Sequence, residues 1–284
     1  MNNFAQLVST ALPSSVHVEA GAGNLPCLSI RTAAAEAEVH FQGAHVTLWR
    51  PASSPLPVLW LSRHSRFAPG EAIRGGVPIS FPWFSKHPSD RSAPPHGFAR
   101  TRDWALIGAR EDADGVVTLE MELAGEAVAP QWPHRFRARY RIVIGAVLGL
   151  DLEIANTGPD AFTFEEALHA YFDVHDIREV TVSGPDPEPL RFAGLTNRIY
   201  PGTRDACVIH DPVRRRDIVI SKSGSNSTVV WNPWAERARE LSDMGDDEWV
   251  GMVSVEPSNV GADARTLGPG DSHTMSVVVE TRAW

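Results

Sequence analysis

Hydrophobic and polar residues alternate with a period of two wherever the chain is readable. In VVTLEMEL, Val117, Leu119, Met121 and Leu123 alternate with Thr118, Glu120 and Glu122, the pattern of a strand with one buried face. HRFRARYRIVI sets Phe136, Ala138, Tyr140 and Ile142 against Arg135, Arg137, Arg139 and Arg141. LGLDLEI places Leu148, Leu150, Leu152 and Ile154 on one face, and NTGPD then supplies a turn. Further strands are expected at 38–49, broken at Gly43, and at 217–221, 228–231, 250–256 and 274–280. Helical periodicity is best in PWAERARELSDM, where Pro233 precedes a short helix expected from Trp234 towards Met244. Strands without long intervening helices disfavour a parallel α/β sheet and predict an all-β antiparallel β-sandwich with long loops and a few short helices.

The 284 residues allow one large sandwich or two smaller domains. No repeat, low-complexity tract or linker marks a boundary, and the proline-rich stretches at 51–58 and 185–189 are short enough for loops, so one domain over 1–284 is expected. A formal net charge of -9 repels nucleic acid and anionic membranes. The arginines of 135–141 therefore read as a solvated strand face, and a small anionic ligand needs a local arginine cluster. Cys27 and Cys207 show no ligand spacing and suit a reducing cytoplasm. MNNFAQLVSTALPSSV makes a poor export signal, and no stretch approaches the ~20 apolar residues of a membrane helix. A soluble, cytoplasmic monomer is expected.

Candidate chemistry sits in four segments. IRGGVPISFPWFS combines Arg74 with two glycines and with Trp83 between Pro82 and Phe84, a composition that suits either a ligand loop or a tight bend packed by aromatics. PPHGFARTRDW adds His96 and Arg100, and Arg74 and Arg100 together could fork a phosphate. EEALHAYFDV, read as a strand, places Glu165, Ala167, His169 and Tyr171 on one face. A lone histidine there is more often a hydrogen-bonded core residue than a proton donor. WVGMVSVEPSNV ends an apolar strand on Glu256, whose burial without a partner would cost several kcal/mol. A cationic His169 would meet that need, giving a carboxylate base and an imidazolium acid. Two other readings stay open on residue type alone: a metal held by His169, Asp173, His175 and Asp176, and a glycosidase pair of Glu165 or Glu166 with Glu256. A GxSxG elbow and a P-loop are both absent.

Taken in order, RGGVPISFPWFS, HGFARTRDW, EEALHAYFDVHDI, VVWNPW, MGDDEW and VSVEPSNV resemble the glucose-6-phosphate 1-epimerases, or hexose-6-phosphate mutarotases, of the aldose 1-epimerase superfamily. The matches run from about residue 74 to 260, with a PGD near 269 to 271. The resemblance implies a galactose-mutarotase-like β-sandwich acting without cofactor or metal on a sugar phosphate. It also implies that His169 is the general acid and Glu256 the general base, that Arg74 and Arg100 bind the phosphate, and that His96 lines the site. Where many relatives have an aspartate, TNRIY carries Asn197 as the substrate-contacting residue. Ser80 and Ser85 also depart from the usual residues, Ser85 from a glycine. An epimerase of unphosphorylated sugars and a non-catalytic carbohydrate-binding sandwich are the alternatives.

Overall fold

The computed structural model describes residues 6–284; the first five residues of the segment read above for export lie outside it. The longest alternating runs assemble into a nine-stranded antiparallel sheet. Its order is Leu190–Arg191, Thr181–Ser183, Cys207–Asp211, Arg216–Ser223, Ser272–Ala283, Leu148–Asn156, Phe136–Ile144, Val117–Gly125 and Ala105–Glu111. One face of its central strands is buried and the other wet, as the alternation requires. A six-stranded sheet runs Thr196–Pro201, Ser227–Asn232, Met252–Asn259, Glu166–Leu168 and Ile79–Ser80, with Tyr171–Asp173 also paired to Met252–Asn259. A four-stranded meander, Val16–Ala20, Pro26–Arg31, Ala35–His40 and His45–Pro51, and a pair, Phe162–Phe164 with Arg265–Leu267, complete the layers. The expected break at Gly43 is the turn between the last two meander strands, where Gly43 has φ 81°.

One contiguous apolar core joins these sheets, with Leu119, Tyr140 and Leu152 from the nine-stranded sheet, Leu28 and Trp49 from the meander, and Val253 and Val255 from the six-stranded sheet. Each fully buried aliphatic or aromatic side chain contributes about 1.5–3 kcal/mol through burial. A smaller cluster of Trp60, Tyr171, Ala238, Met244 and Met252 packs beside the edge where the loops converge.

The helix expected from Trp234 towards Met244 is short, Trp234–Ala238. Beyond it the backbone continues in i→i+3 turns, with Leu241 N–H on Ala238 O and Met244 N–H on Leu241 O. The strand expected at 250–256 begins after a 3-10 turn at Glu248–Gly251 and runs on through Pro257 to Asn259. Glycines set the two arginine loops against the sheet: a Cβ on Gly76 would lie 2.3 Å from Val46 O, and one on Gly97 1.9 Å from Phe81 O. Among the described residues no helix is long and apolar enough to cross a membrane.

Candidate active site

The strand that carries His169 is interrupted at that residue. Glu166–Leu168 and Tyr171–Asp173 pair with different stretches of Met252–Asn259, and the two residues between them leave the ladder. His169 N–H donates to Pro78 O at 3.0 Å, while Ala170 O accepts Val255 N–H at 3.2 Å. The imidazole lies nearly parallel to the Tyr171 ring (4.9 Å, 14°) and meets His96 edge-on at 5.2 Å. Tyr171 opposes Ser254 in register. Glu256, two residues on, shares the face of Ser254 because side chains on a strand alternate. His169 Nε2 thus stands 3.3 Å from Glu256 Oε1, and Nδ1 stands 3.3 Å from Ser254 Oγ.

Burial governs the charge of this pair. His169 is held well below the usual histidine range by desolvation first, then by His96, Arg100 and Arg74. Glu256, 1% exposed, is held well above the usual carboxylate range by desolvation, against the hydrogen bond from Ser254 and the field of Arg100. Both shifts run against the imidazolium–carboxylate pair expected from sequence and towards a neutral pair, in which the one proton shared between Nε2 and Oε1 lies on the carboxyl side. The physical reason is that burial desolvates both groups and three basic side chains crowd the histidine. The proton count is that of the expected pair; only the proton's position differs. Glu256 Oε2 is buried and has no hydrogen-bond partner.

The two arginines differ. Arg74 is fully engaged on one side: Nε and Nη2 donate to the Asp243 carboxylate at 3.0–3.2 Å and Nη1 donates to the Tyr171 hydroxyl at 3.0 Å. Arg100 makes a 2.7 Å hydrogen bond from Nη2 to Pro95 O, while its Nε is buried and unpartnered. Burial pulls Arg100 down to about 10, Arg74 adds to the fall, and Tyr171, Asp243 and Glu256 offset part of it. His96 Nδ1 accepts the Ser85 N–H at 3.3 Å, with the Ser80 hydroxyl 3.2 Å away, so its ring proton sits on Nε2. Burial, then Arg100 and Arg74, push this imidazole down to about 3. Ser80 and Ser85, two of the three departures noted in the sequence, thus meet at His96. Ser85 has φ 59° and His96 φ 64°, left-handed backbone in which a glycine would be less strained than Ser85.

Two expected site residues take other places. Trp83 is spent on packing: its indole N–H donates to Pro94 O at 3.0 Å and its ring meets Phe98 and His87 edge-on. Its neighbour Phe84 is the ring that faces His96 and His169, at 4.8 and 6.3 Å. Asn197 is exposed on the edge strand, opposite Trp231, whose ring reaches His169 and Tyr171 at 6.5 and 6.0 Å. It lies on the rim of the same face, two strands from Ser254. Glu165 accepts from Phe84 N–H at 2.9 Å and Gly261 N–H at 2.7 Å, and Glu166 meets Asn259 and His273 at 2.8 and 3.1 Å, so the structure pairs neither with Glu256. Asp173 is bound by Arg214, and Asp176 by Arg178, which disperses the metal set weighed above.

Among the described residues one His, Cys and carboxylate group could hold a metal: Cys27, Glu38 and His40, with ligand atoms within 4.8 Å. It lies on the meander and is largely satisfied as it stands. Glu38 Oε1 takes His40 Nε2 at 2.9 Å and the Thr47 hydroxyl at 2.8 Å. Burial, with Glu38 and Glu19, pushes the Cys27 thiol up to about 12, away from the thiolate a metal needs.

The family model for aldose 1-epimerase matches residues 26–192 and 183–280. The chain belongs to the aldose 1-epimerase family. A relative from Escherichia coli (strain K12), named "Putative glucose-6-phosphate 1-epimerase", is 36% identical over 238 residues, 78% of this chain and 79% of that protein. One of the same name from Cenchrus ciliaris is 32% identical over 295 residues, 94% and 85% of the two chains. The crystal structure of a mutarotase-type protein, YeaD, from Salmonella typhimurium superposes with a TM-score of 0.88 at 30% identity, covering 99% of this chain and 98% of that one. At the site, the residues that sequence reasoning passed over are Asp243, Ser254, Trp231 and Phe84. Ser254 carried a readable signal, since it lies two residues before Glu256 on the same face.

Proposed function

We propose that this protein interconverts the α and β anomers of aldohexose 6-phosphates, glucose 6-phosphate foremost, by acid/base ring opening and closure. The observation that carries the reading is the buried contact of His169 Nε2 with Glu256 Oε1 at 3.3 Å beside Arg74 and Arg100. The names carried by the Escherichia coli and Cenchrus ciliaris relatives support the substrate. A sugar seated against the pair draws the shared proton to His169. Glu256 takes the proton of the anomeric hydroxyl while His169 Nε2 protonates the ring oxygen, and the ring opens to an aldehyde. Both groups are then neutral, the state that burial favours in the free protein. After rotation beside the aldehyde, His169 withdraws the proton from the former ring oxygen, Glu256 protonates the aldehyde oxygen, and the other anomer closes. Protons move and no electrons do, so one acid and one base suffice.

Arg100 supplies the free donors for the phosphate, while Arg74, held by Asp243, offers its remaining Nη1–H and a fixed charge. Magnetisation-exchange NMR on anomer mixtures tests the reading. His169→Ala and Glu256→Gln are each expected to lower kcat by about 10²–10⁴ with the circular dichroism unchanged. Arg100→Ala should raise KM for glucose 6-phosphate about tenfold or more and hardly alter that for glucose. Near-normal exchange in either acid/base variant would sink the assignment. Equal specificity constants with and without phosphate would favour the free-sugar epimerase, and saturable binding without exchange the binding sandwich.

A further inference from the structure

The side chain that touches both members of the pair is Ser254. It is fully buried, and its Oγ lies 2.9 Å from Ala170 O, 3.1 Å from Glu256 Oε1 and 3.3 Å from His169 Nδ1. A hydroxyl carries one proton and two lone pairs. Ala170 O and Glu256 Oε1 both accept and both lie nearer than Nδ1, so the hydroxyl proton is directed to these two oxygens. A lone pair is left facing Nδ1, and that contact becomes a hydrogen bond only if Nδ1 carries the proton. Nε2 is then the nitrogen left to exchange a proton, and Nε2 is the one that meets Glu256.

We infer that Ser254 is a positioning residue that holds His169 in the Nδ1–H tautomer, so that Nε2 is always the atom that gives and takes the proton in the ring-opening cycle. The inference rests on the epimerase reading for its kinetic consequence and on geometry alone for the tautomer. The placement follows from the break in the histidine strand. Ala170 O, displaced from the Glu166–Leu168 ladder, accepts both Val255 N–H and the Ser254 hydroxyl, which ties the main chain beside His169 to the strand that carries Glu256. The same serine therefore fixes the ring's tautomer and its distance from the base. A neutral imidazole with the opposite tautomer would present Nε2–H to the sugar and would have to become an imidazolate to act as acid, which is out of reach near neutral pH.

Two measurements decide it. Nitrogen-15 NMR of the ligand-free protein, with the His169 signals assigned by their loss in His169→Ala, should show Nδ1 protonated and Nε2 as acceptor. Ser254→Ala should lose that preference and Ser254→Thr, which keeps the hydroxyl, should retain it. In anomer exchange, Ser254→Ala should lower kcat about 10–100-fold with KM within about twofold and a displaced pH profile, and Ser254→Thr should restore most of the rate. An Nε2–H tautomer in the wild type, or wild-type kcat and pH profile in Ser254→Ala, overturns the assignment. Should the wild type fail to accelerate exchange of any sugar, the epimerase reading falls while the nitrogen shifts still settle the role of Ser254.

Discussion

Two strands of this protein, Phe136–Ile144 and Met252–Asn259, look equally strand-like and do different things. The first alternates between buried and accessible positions, and its outward residues Arg137, Arg139 and Arg141 pair with Glu153, Glu122 and Asp151 on neighbouring strands. Such exposed pairs contribute about 1 kcal/mol or less each. The second strand is buried at every position although Ser254, Glu256, Ser258 and Asn259 are polar. Val253 and Val255 enter the main core on one face, while Met252, Ser254, Glu256 and Ser258 share the other. A polar residue on a half-wet strand faces solvent at little cost. On a strand covered on both faces the same residue must be matched by partners or kept for chemistry. Ser258 and Asn259 are matched, by Ser225 and Ser227 and by Glu166 and Gly224. Glu256 is matched at one oxygen only.

Exchanging the two kinds of damage gives the largest test of this contrast. Leu152, fully buried beside Tyr140 in the regular sheet, should cost about 2–5 kcal/mol as Leu152→Ala, with kcat within about twofold of wild type. Glu256→Gln should run the other way, losing the rate while gaining about 1–2 kcal/mol of stability at pH 7.5. The folded-state pKa of Glu256 is raised, so folding takes up a proton, and the cost of keeping it grows as pH rises above the carboxyl's unfolded value. The gain should accordingly shrink at pH 5. Urea midpoints at the two pH values measure it, and a loss of stability at both would break the contrast.

The same contrast explains what could be read from the chain. The three central strands of the nine-stranded sheet were legible because one wet face imprints a period of two. Glu256 was legible for the opposite reason, a carboxylate closing an apolar run. His169 needed the ordered motifs as well, since an isolated buried histidine is commonplace. The interruption at His169 was not legible, because alternation continues on either side of it. Arg74 with Asp243 was hidden by a separation of 169 positions and forms only when the turn after Ala238 folds onto the loop. Trp83 and Phe84 could not be told apart, because composition marks an aromatic loop without saying which ring turns inward.

His45 separates burial from chemistry. Like His169 it is a buried histidine, here at the start of the meander strand His45–Pro51, but its Nε2 lies 2.7 Å from Gly75 O and no acid stands beside it. Burial pushes it down to about 3. As the folded pKa lies below the unfolded one, the unfolded chain binds the extra proton, and stability falls as pH drops from about 6.5 towards 3. Between pH 7 and pH 5 this group should remove about 2 kcal/mol, from roughly 1.4 kcal/mol per unit. His45→Gln should flatten the urea midpoint's pH dependence by one proton while leaving the pH profile of anomer exchange in place. A shifted exchange profile would couple His45 to the site and erase the distinction.

Tyr140 gives the smallest and sharpest test. It lies in the regular strand, fully buried, yet its hydroxyl has no hydrogen-bond partner, and burial raises its pKa well above the usual phenol range. Here the regular sheet contains the same feature as Glu256 Oε2, a buried oxygen without a partner, but on the core face and with no acid or base within hydrogen-bonding distance, Asp151 acting on it only through its field. If an unmatched buried oxygen marks function only where it meets such a group, Tyr140→Phe should cost nothing in activity. Removing the hydroxyl should leave stability unchanged or raise it by about 1 kcal/mol, because an unsatisfied polar group is lost and little packing goes with it. A destabilisation of 1 kcal/mol or more in urea unfolding would mean that the hydroxyl is matched in solution, and the parallel with Glu256 would fail.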